Sequence, residues 1–186
     1  SGNNALQYIQ SQDSQLHNIA QSLGSSREKV GESFGKMIAE NELMKRKLRS
    51  LVNKFSDNMA STVAQKATRT GVGIKIYGTY DDQVGDEYYI ALGEKSTCVD
   101  PFLVFVALVQ DQDRIRVIVF AGEESRKILK ASRIAKEISL KLGGTGGGGT
   151  DKSAQGGGTD RNKVQHCMPN LESLITSILE TSEKNG

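Results

Sequence analysis

Apolar residues follow two regimes along the chain. Up to about residue 70 they recur at helical spacing; beyond it they gather into short runs parted by turn signals. In residues 5–23, Ile9, Leu16 and Leu23 return every seven residues, with Ala5 and Ile19 between them and Leu6 and Ala20 widening the stripe. This predicts a first helix. Gly24 stops it, as a glycine just past a helix end does. In "SSRE", Ser25 and Glu28 predict a capping box for a second helix. There Val30, Phe34, Met37, Asn41, Met44, Leu48, Leu51, Phe55 and Asn58 step by four and three without a break, which makes a heptad seam. Ile38, Val52 and Met59 add a flanking row. The broad stripe predicts packing on the first helix and on something further, of which a second copy is the simplest. Phe34, Met37, Asn41, Met44, Leu48, Leu51 and Phe55 are therefore the candidate dimerisation residues. Asn41 is the polar seam position that sets register at some cost in stability. The alternative is a long hairpin packed on its own domain, with Asn41 partly exposed.

Gly71 and Gly73 end this arm. Residues 74–80, "IKIYGTY", predict a strand, and 86–97, "DEYYIALGEKST", a short helix that Gly93 weakens. "PFLVFVALVQ" (101–110) is apolar on both faces and predicts a central strand. "DQD" is a turn and "RIRVIVFAG" (114–122) the next strand. Ser125 or Ser132 opens a helix with Ile134, Ile138 and Leu142 on one face. A glycine-rich loop follows. Residues 160–184 are mostly helical, with Leu171, Leu174, Ile175, Ile178 and Leu179 as their stripe and Pro169 as a kink or a start. The fold class is α+β: an N-terminal helical hairpin or coiled-coil arm (1–70), then a small globular domain (71–186) with a β-sheet packed by helices.

Composition narrows this picture only in places. The net charge of the 186 residues is +2, but charge is sorted along the chain. Residues 1–70 carry ten Lys/Arg against six Asp/Glu, 81–100 six acids and one Lys, and 126–163 nine bases and three acids. Sorted charge makes a local field even when the total is small. The longest apolar run, 102–109, falls far short of a membrane span, and no signal-peptide pattern opens the chain. The Ser-Gly start reads as a processed or excised piece. Cys98 and Cys167 make neither a disulfide framework nor zinc spacing, so a reducing, intracellular setting is expected.

Residues 143–158, "GGTGGGGTDKSAQGGG", hold nine glycines in sixteen positions. "GTGGGG" satisfies a dinucleotide-motif string, but such a motif needs a strand before it and a helix after it, and neither is predicted. "GGTDKS" sets Lys152 and Ser153 side by side, yet Asp151 stands where a P-loop requires glycine. Glycines expose N–H groups and let a backbone approach an anion or a flat base. The helix leading in carries Arg126, Lys127, Lys130, Arg133, Lys136 and Lys141, with Arg126 and Lys130 on one face. A basic helix feeding a glycine loop suits a phosphate backbone. A solvated helix followed by a flexible linker explains the same pattern.

"KLGGTGGGGTDKSAQGGG" resembles the C-terminal signature of alanyl-tRNA synthetases: a glycine run, a polar stretch with Ala154-Gln155, then a second glycine cluster. The same domain accompanies DHH-type phosphoesterases. "NNALQYIQ" (3–10) resembles the segment that follows the editing domain in those synthetases. The resemblance implies a non-catalytic C-terminal (C-Ala, DHH-associated) module that dimerises the enzyme and holds the outer corner of tRNA-Ala, where the D and T loops meet. It implies no cofactor in this chain. ATP and Mg would serve alanylation, and zinc the editing domain, in parts absent here. Expected partners are tRNA-Ala and a second copy, with no membrane and no DNA, in the cytoplasm. The expected RNA-facing residues are Arg126, Lys127, Lys130, Arg133, Lys141, Gly146, Gly147, Gly148, Gly149, Lys152, Gln155, Gly156 and Gly157. The alternatives are a structural dimerisation piece with a glycine connector, or the substrate-binding domain of a DHH-type phosphoesterase.

An enzyme site would need clustered ligands or a nucleophile–base pair. Only His17 and His166 are available, and His166 and Cys167 point apart on a helix. Asp81, Asp82, Asp86 and Glu87 read as a loop and a helix start, where acids suit the dipole. The Asp-His-His motif of the phosphoesterases is missing.

Overall fold

The computed structural model describes residues 2–183, with side chains described for 6–180. The predicted role of Ala5's side chain and the position of residue 184 lie outside these. The chain divides into two compact units, Ser1–Ser50 and Leu51–Gly186.

The first unit is helical. Helix α1 spans Gly2–Ser22. Its end shows why Gly24 is there: φ is +60°, Gly24 N donates to Gln21 O (3.1 Å) and Ser25 N to Ala20 O (2.9 Å). These paired bonds satisfy the last carbonyls of α1, and they need a left-handed residue at that point. The capping box at Ser25 and Glu28 does not form. A 3-10 turn, Arg27–Lys29, intervenes, its N-cap is Ser26, and no side chain caps it. Ser25 is held back by the α1 ending, and its hydroxyl donates instead to Ser26 O (3.0 Å). Helix α2 (Val30–Lys66) follows. The predicted seam is solvent-exposed along it: Phe34, Met37, Asn41, Met44 (63% exposed) and Leu48 in the first unit, and Leu51 and Phe55 in the second.

The second unit is built on one six-stranded sheet. Its strands are β1 (Thr68–Arg69), β2 (Lys75–Asp81), β3 (Leu103–Asp111), β4 (Arg114–Ala121), β5 (Gly147–Gly149) and β6 (Ser153–Gly158). The spatial order is β1-β2-β3-β4-β6-β5. Helix α3 (Asp86–Val99) makes the crossover between β2 and β3, the parallel pair, and the other described pairs are antiparallel. Helices α4 (Ser125–Ile128), α5 (Ala131–Lys141), α6 (Arg161–Cys167) and α7 (Leu171–Glu183) complete the unit.

β3 is apolar on both faces because both are covered. Val104, Val106 and Leu108 join Ile134, Ile138, Leu142, Leu174 and Ile175 in one core, under α5, α6 and α7. Leu103, Phe105, Ala107 and Val109 join Val63, Tyr89 and Leu92 in the other, under α3 and the end of α2. Gly93 is what brings α3 close: a Cβ there would lie 2.6 Å from the Phe120 ring and 2.8 Å from that of Phe105. The residue that weakens the helix locally is the one that lets it pack. Pro169 falls between α6 and α7 and separates them.

Two further expectations are corrected. The single basic helix over 126–141 is broken after Ile128. Leu129 turns extended and buries its side chain, and Ala131 N donates to Asp151 O (3.0 Å). Arg126 and Lys130 therefore do not share a helix face. The glycine-rich stretch is neither loop nor linker but the β5–β6 hairpin. Val117 and Val119 of β4 are fully buried, so the free edge of β4 needs a backbone partner. Residues 153–158 supply it, with Ile115 opposite Gly158 and Val119 opposite Ala154.

Candidate nucleic-acid interface

Alternation along β6 sends its residues to two different jobs. Ala154, Gly156 and Gly158 face α5. A Cβ at Gly156 would collide with Ser139 Oγ, and one at Gly158 with Leu142, whose carbonyl oxygen is 2.5 Å away. On β5, a Cβ on Gly147 would lie 3.0 Å from the Ala135 backbone. These glycines let α5 lie against the hairpin backbone. Gly149, at φ +148°, would strike Ala154. Gly146 has φ +133° and lies beside the Lys136 stem.

Gly148 and its cross-strand partner Gln155 turn to the opposite face. There a Cβ on Gly148 would meet nothing within 4 Å, and Gln155 is exposed. Gly157 also alternates to this side. α3 covers the central strands but leaves this corner open. The result is a groove of about 580 Å³ whose floor is Gly148, Ser153, Gln155 and Phe120, walled by Ile90 and Glu94 of α3. Thr150 and Lys152 form its rim, and the segment 150–153, "TDKS", is pinned at several points. Thr150 N donates to Ser153 O (2.7 Å), Ser153 N to Thr150 Oγ1 (3.1 Å) and Ala121 N to Lys152 O (2.9 Å). The polar centre of the glycine stretch is thus the hairpin turn.

Charge on this corner is largely balanced within the protein. Lys152 Nζ lies 3.7 Å from Glu94, Lys130 3.1 Å from Asp151, Lys127 2.6 Å from Glu124 and Arg126 3.9 Å from Glu123. Each pair is exposed enough to be worth about 0–1 kcal/mol, so each cation can be re-partnered by an incoming anion. Arg133, half-buried on α5, is engaged in a further interaction.

The groove therefore gathers Gly148, Gly149, Lys152 and Gln155. Gly146, Gly147 and Gly156 are occupied with α5. Arg126 and Lys152 meet at a neighbouring shallow hollow floored by Ala121 and Gly122. Lys127 and Lys130 stand on α4 and in the α4–α5 link, and Lys141 lies at the far end of α5, in a separate hollow. Ile90, Glu94 and Phe120 escaped the sequence reading. They come from a helix and a strand remote in sequence, and only the crossover places them beside the hairpin.

Of the acids at 81–87, Asp81 and Asp86 act structurally. The Asp81 carboxylate accepts from Tyr89 Oη (2.6 Å) and from the Gln83 and Val84 amides. The Tyr89 bond chiefly holds its pKa below the usual carboxylate range, and burial opposes that shift. Asp86 pairs with Arg116. His166 is exposed while Cys167 is buried, and burial raises the thiol. They do not form a thiolate pair. No cluster of metal-ligating side chains occurs among the described residues, nor a helix long and apolar enough to cross a membrane.

Comparison with known proteins bears on this arrangement. Residues 90–180, from the groove wall on α3 into α7, match the DHHA1 domain. The alanine–tRNA ligase of Rickettsia felis is 25% identical over 175 residues, covering 94% of this chain and 20% of that protein. That of Nitrosopumilus maritimus is 36% identical over 101 residues, 54% of this chain and 11% of that protein. The chain thus spans at most about a fifth of these relatives' length. The crystal structure of the C-Ala domain from Aquifex aeolicus alanyl-tRNA synthetase shares the fold, with a TM-score of 0.50, 22% identity, and 54% of this chain and 90% of that one covered. Residues 90–180 are thus similar to the DHHA1 domain, and 94% of the chain aligns with an alanine–tRNA ligase at 25% identity.

Proposed function

We propose that the chain is the RNA-holding and dimerising module of an alanine–tRNA ligase, acting on tRNA-Ala without chemistry of its own. The observation that carries this is the groove over the β5–β6 hairpin. Its floor lacks a side chain at Gly148 and carries Gln155, and its rim offers Lys152. The missing Cβ at Gly148 leaves room for a flat base, and unstacked bases are displayed in RNA loops rather than in regular duplex. The D-loop/T-loop corner of tRNA is such a target. Lys152, Lys130, Arg126 and Lys127 would exchange their exposed carboxylate partners for phosphates. Anchoring the corner raises the effective concentration of the acceptor end at active sites elsewhere in the enzyme. The exposed seam of α2 supports pairing with a second copy, which would double the anchoring points. The expected location is the cytoplasm, with the enzyme's substrate.

The test is binding of tRNA-Ala by the 186-residue chain over a salt series, against a hairpin RNA of equal length. Tighter binding of tRNA, lost when the D and T loops are disrupted, is the expected result. Equal affinity for the two RNAs overturns the reading.

A further inference from the structure

Beyond the groove, the sheet carries a second hollow on its other face. It has a volume of about 540 Å³ and lies between the end of α5 and the α6–α7 pair. Lys141 reaches it from α5, Lys163 and His166 from α6, and Ser173 from α7. No carboxylate lines it among the described residues. Lys163 has Asp160 at 3.1 Å, an exposed pair on one side of the hollow, and water-screened pairs of this kind exchange partners readily. His166 Nδ1 sits 3.1 Å from Asn162 O, so the bond to its own helix leaves Nε2 for another partner. The floor is Leu174 and Cys167. The Cys167 thiol is buried and its pKa raised by that burial, although the Lys141 charge opposes the shift. The site therefore holds a neutral sulfur and two ammonium groups, which disfavours a metal cation.

We propose that this hollow binds a phosphate group, held by Lys141 and Lys163 with His166 and Ser173 as further hydrogen-bonding partners. The donors come from three helices and converge from different directions. A tetrahedral anion with several acceptor oxygens can accept from more than one of them at once, and charge-assisted bonds of this type are the stronger ones. The site lies across the sheet from the glycine groove, so it does not depend on that groove's role. The phosphate is either part of an RNA backbone or part of a small phosphorylated molecule.

The chain contains two histidines, which makes the test direct. Imidazole C–H signals of His166 and His17 are followed by NMR in the full chain while inorganic phosphate replaces chloride at constant ionic strength and pH. His166 should shift and saturate, while His17, on α1, should not. K141Q and K163Q, both at exposed positions, should each weaken the saturation by about ten-fold, as expected for loss of one charge-assisted contact. A linear drift of His166, or an equal shift with chloride alone, overturns the proposal. So does unchanged affinity in both variants. Adding tRNA then separates the sources. Displacement of phosphate assigns the site to RNA, and retention assigns it to a small phosphorylated ligand. The groove reading is tested separately, because its RNA competition does not use the His166 signal.

Discussion

The hydroxyl of Ser139 occupies the space that a Cβ on Gly156 would need. It is held there by donating to Ala135 O at 2.6 Å. Helix α5 thus lies directly on the backbone of a strand rather than on side chains, and its Leu142 does the same over Gly158.

Substitutions along the hairpin should therefore fall in a definite order. G158A meets the Leu142 Cβ and carbonyl, which cannot rotate away, and should cost about 1–3 kcal/mol, as overpacking of a filled core does. G156A should cost less, because the Ser139 hydroxyl can swing aside, and S139A should recover part of the loss in a double-mutant cycle. G148A, with open space before it, should stay within about 0.5 kcal/mol of the parent. Urea denaturation checks all three. Equal costs at positions 148 and 158 would remove the packing explanation.

Glu94 sets how available Lys152 is to an anion. E94Q removes the charge across the groove and should raise tRNA affinity several-fold, because Lys152 then meets a phosphate without giving up a carboxylate partner. K152Q should do the reverse. Filter binding at two salt concentrations is sufficient, and an unchanged affinity in both variants would take Lys152 out of the interface.

The α2 seam is exposed at Met44 and Leu48. If it pairs with a second copy, light scattering gives twice the chain mass, and the M44E/L48E variant returns to the mass of one chain with its globular unit still folded. N41L should raise the stability of the pair while loosening its register and oligomer state. A parent chain that stays monomeric at tens of micromolar, roughly the range in which weak association is detectable, would end the dimer proposal.

Asp81 links the end of β2 to α3 through Tyr89. Its folded-state pKa is lowered, chiefly by that bond. A lowered carboxylate adds stability above its unfolded value, about 3.9, and loses it as pH falls through the folded one. D81N should therefore melt below the parent at neutral pH, and the gap should close as pH drops under about 4. A gap that is constant with pH would mean that the bond stabilises without linkage to protonation.

Local pattern was enough for most elements. The doubly apolar run at 103–109, opened by Pro101 and rich in β-branched and aromatic residues, read as a strand covered on both sides, and the stripe from Leu171 to Leu179 as a buried helix face. Gly24 showed its role in sequence because a helix end is decided within a few residues of itself. The glycine stretch behaved differently. Glycine has little strand propensity, and no local feature of residues 143–158 announces a hairpin. The pairing is imposed by β4, which cannot leave its buried edge unbonded, and by α5, which needs a strand without side chains beneath it. The break in the basic helix was legible only as the alternative start at Ser132, since the amide freed at Ala131 is satisfied by Asp151 of the hairpin turn. The sequence by itself determined the periodicities, the helix stop at Gly24, the sorted charge and the signature that points to alanyl-tRNA synthetases, all of them short-range properties. Tertiary structure alone decided which glycines are packing surface and which one floors the groove. It also decided that Ile90, Glu94 and Phe120 stand beside them, because those contacts join segments that only the sheet order brings together.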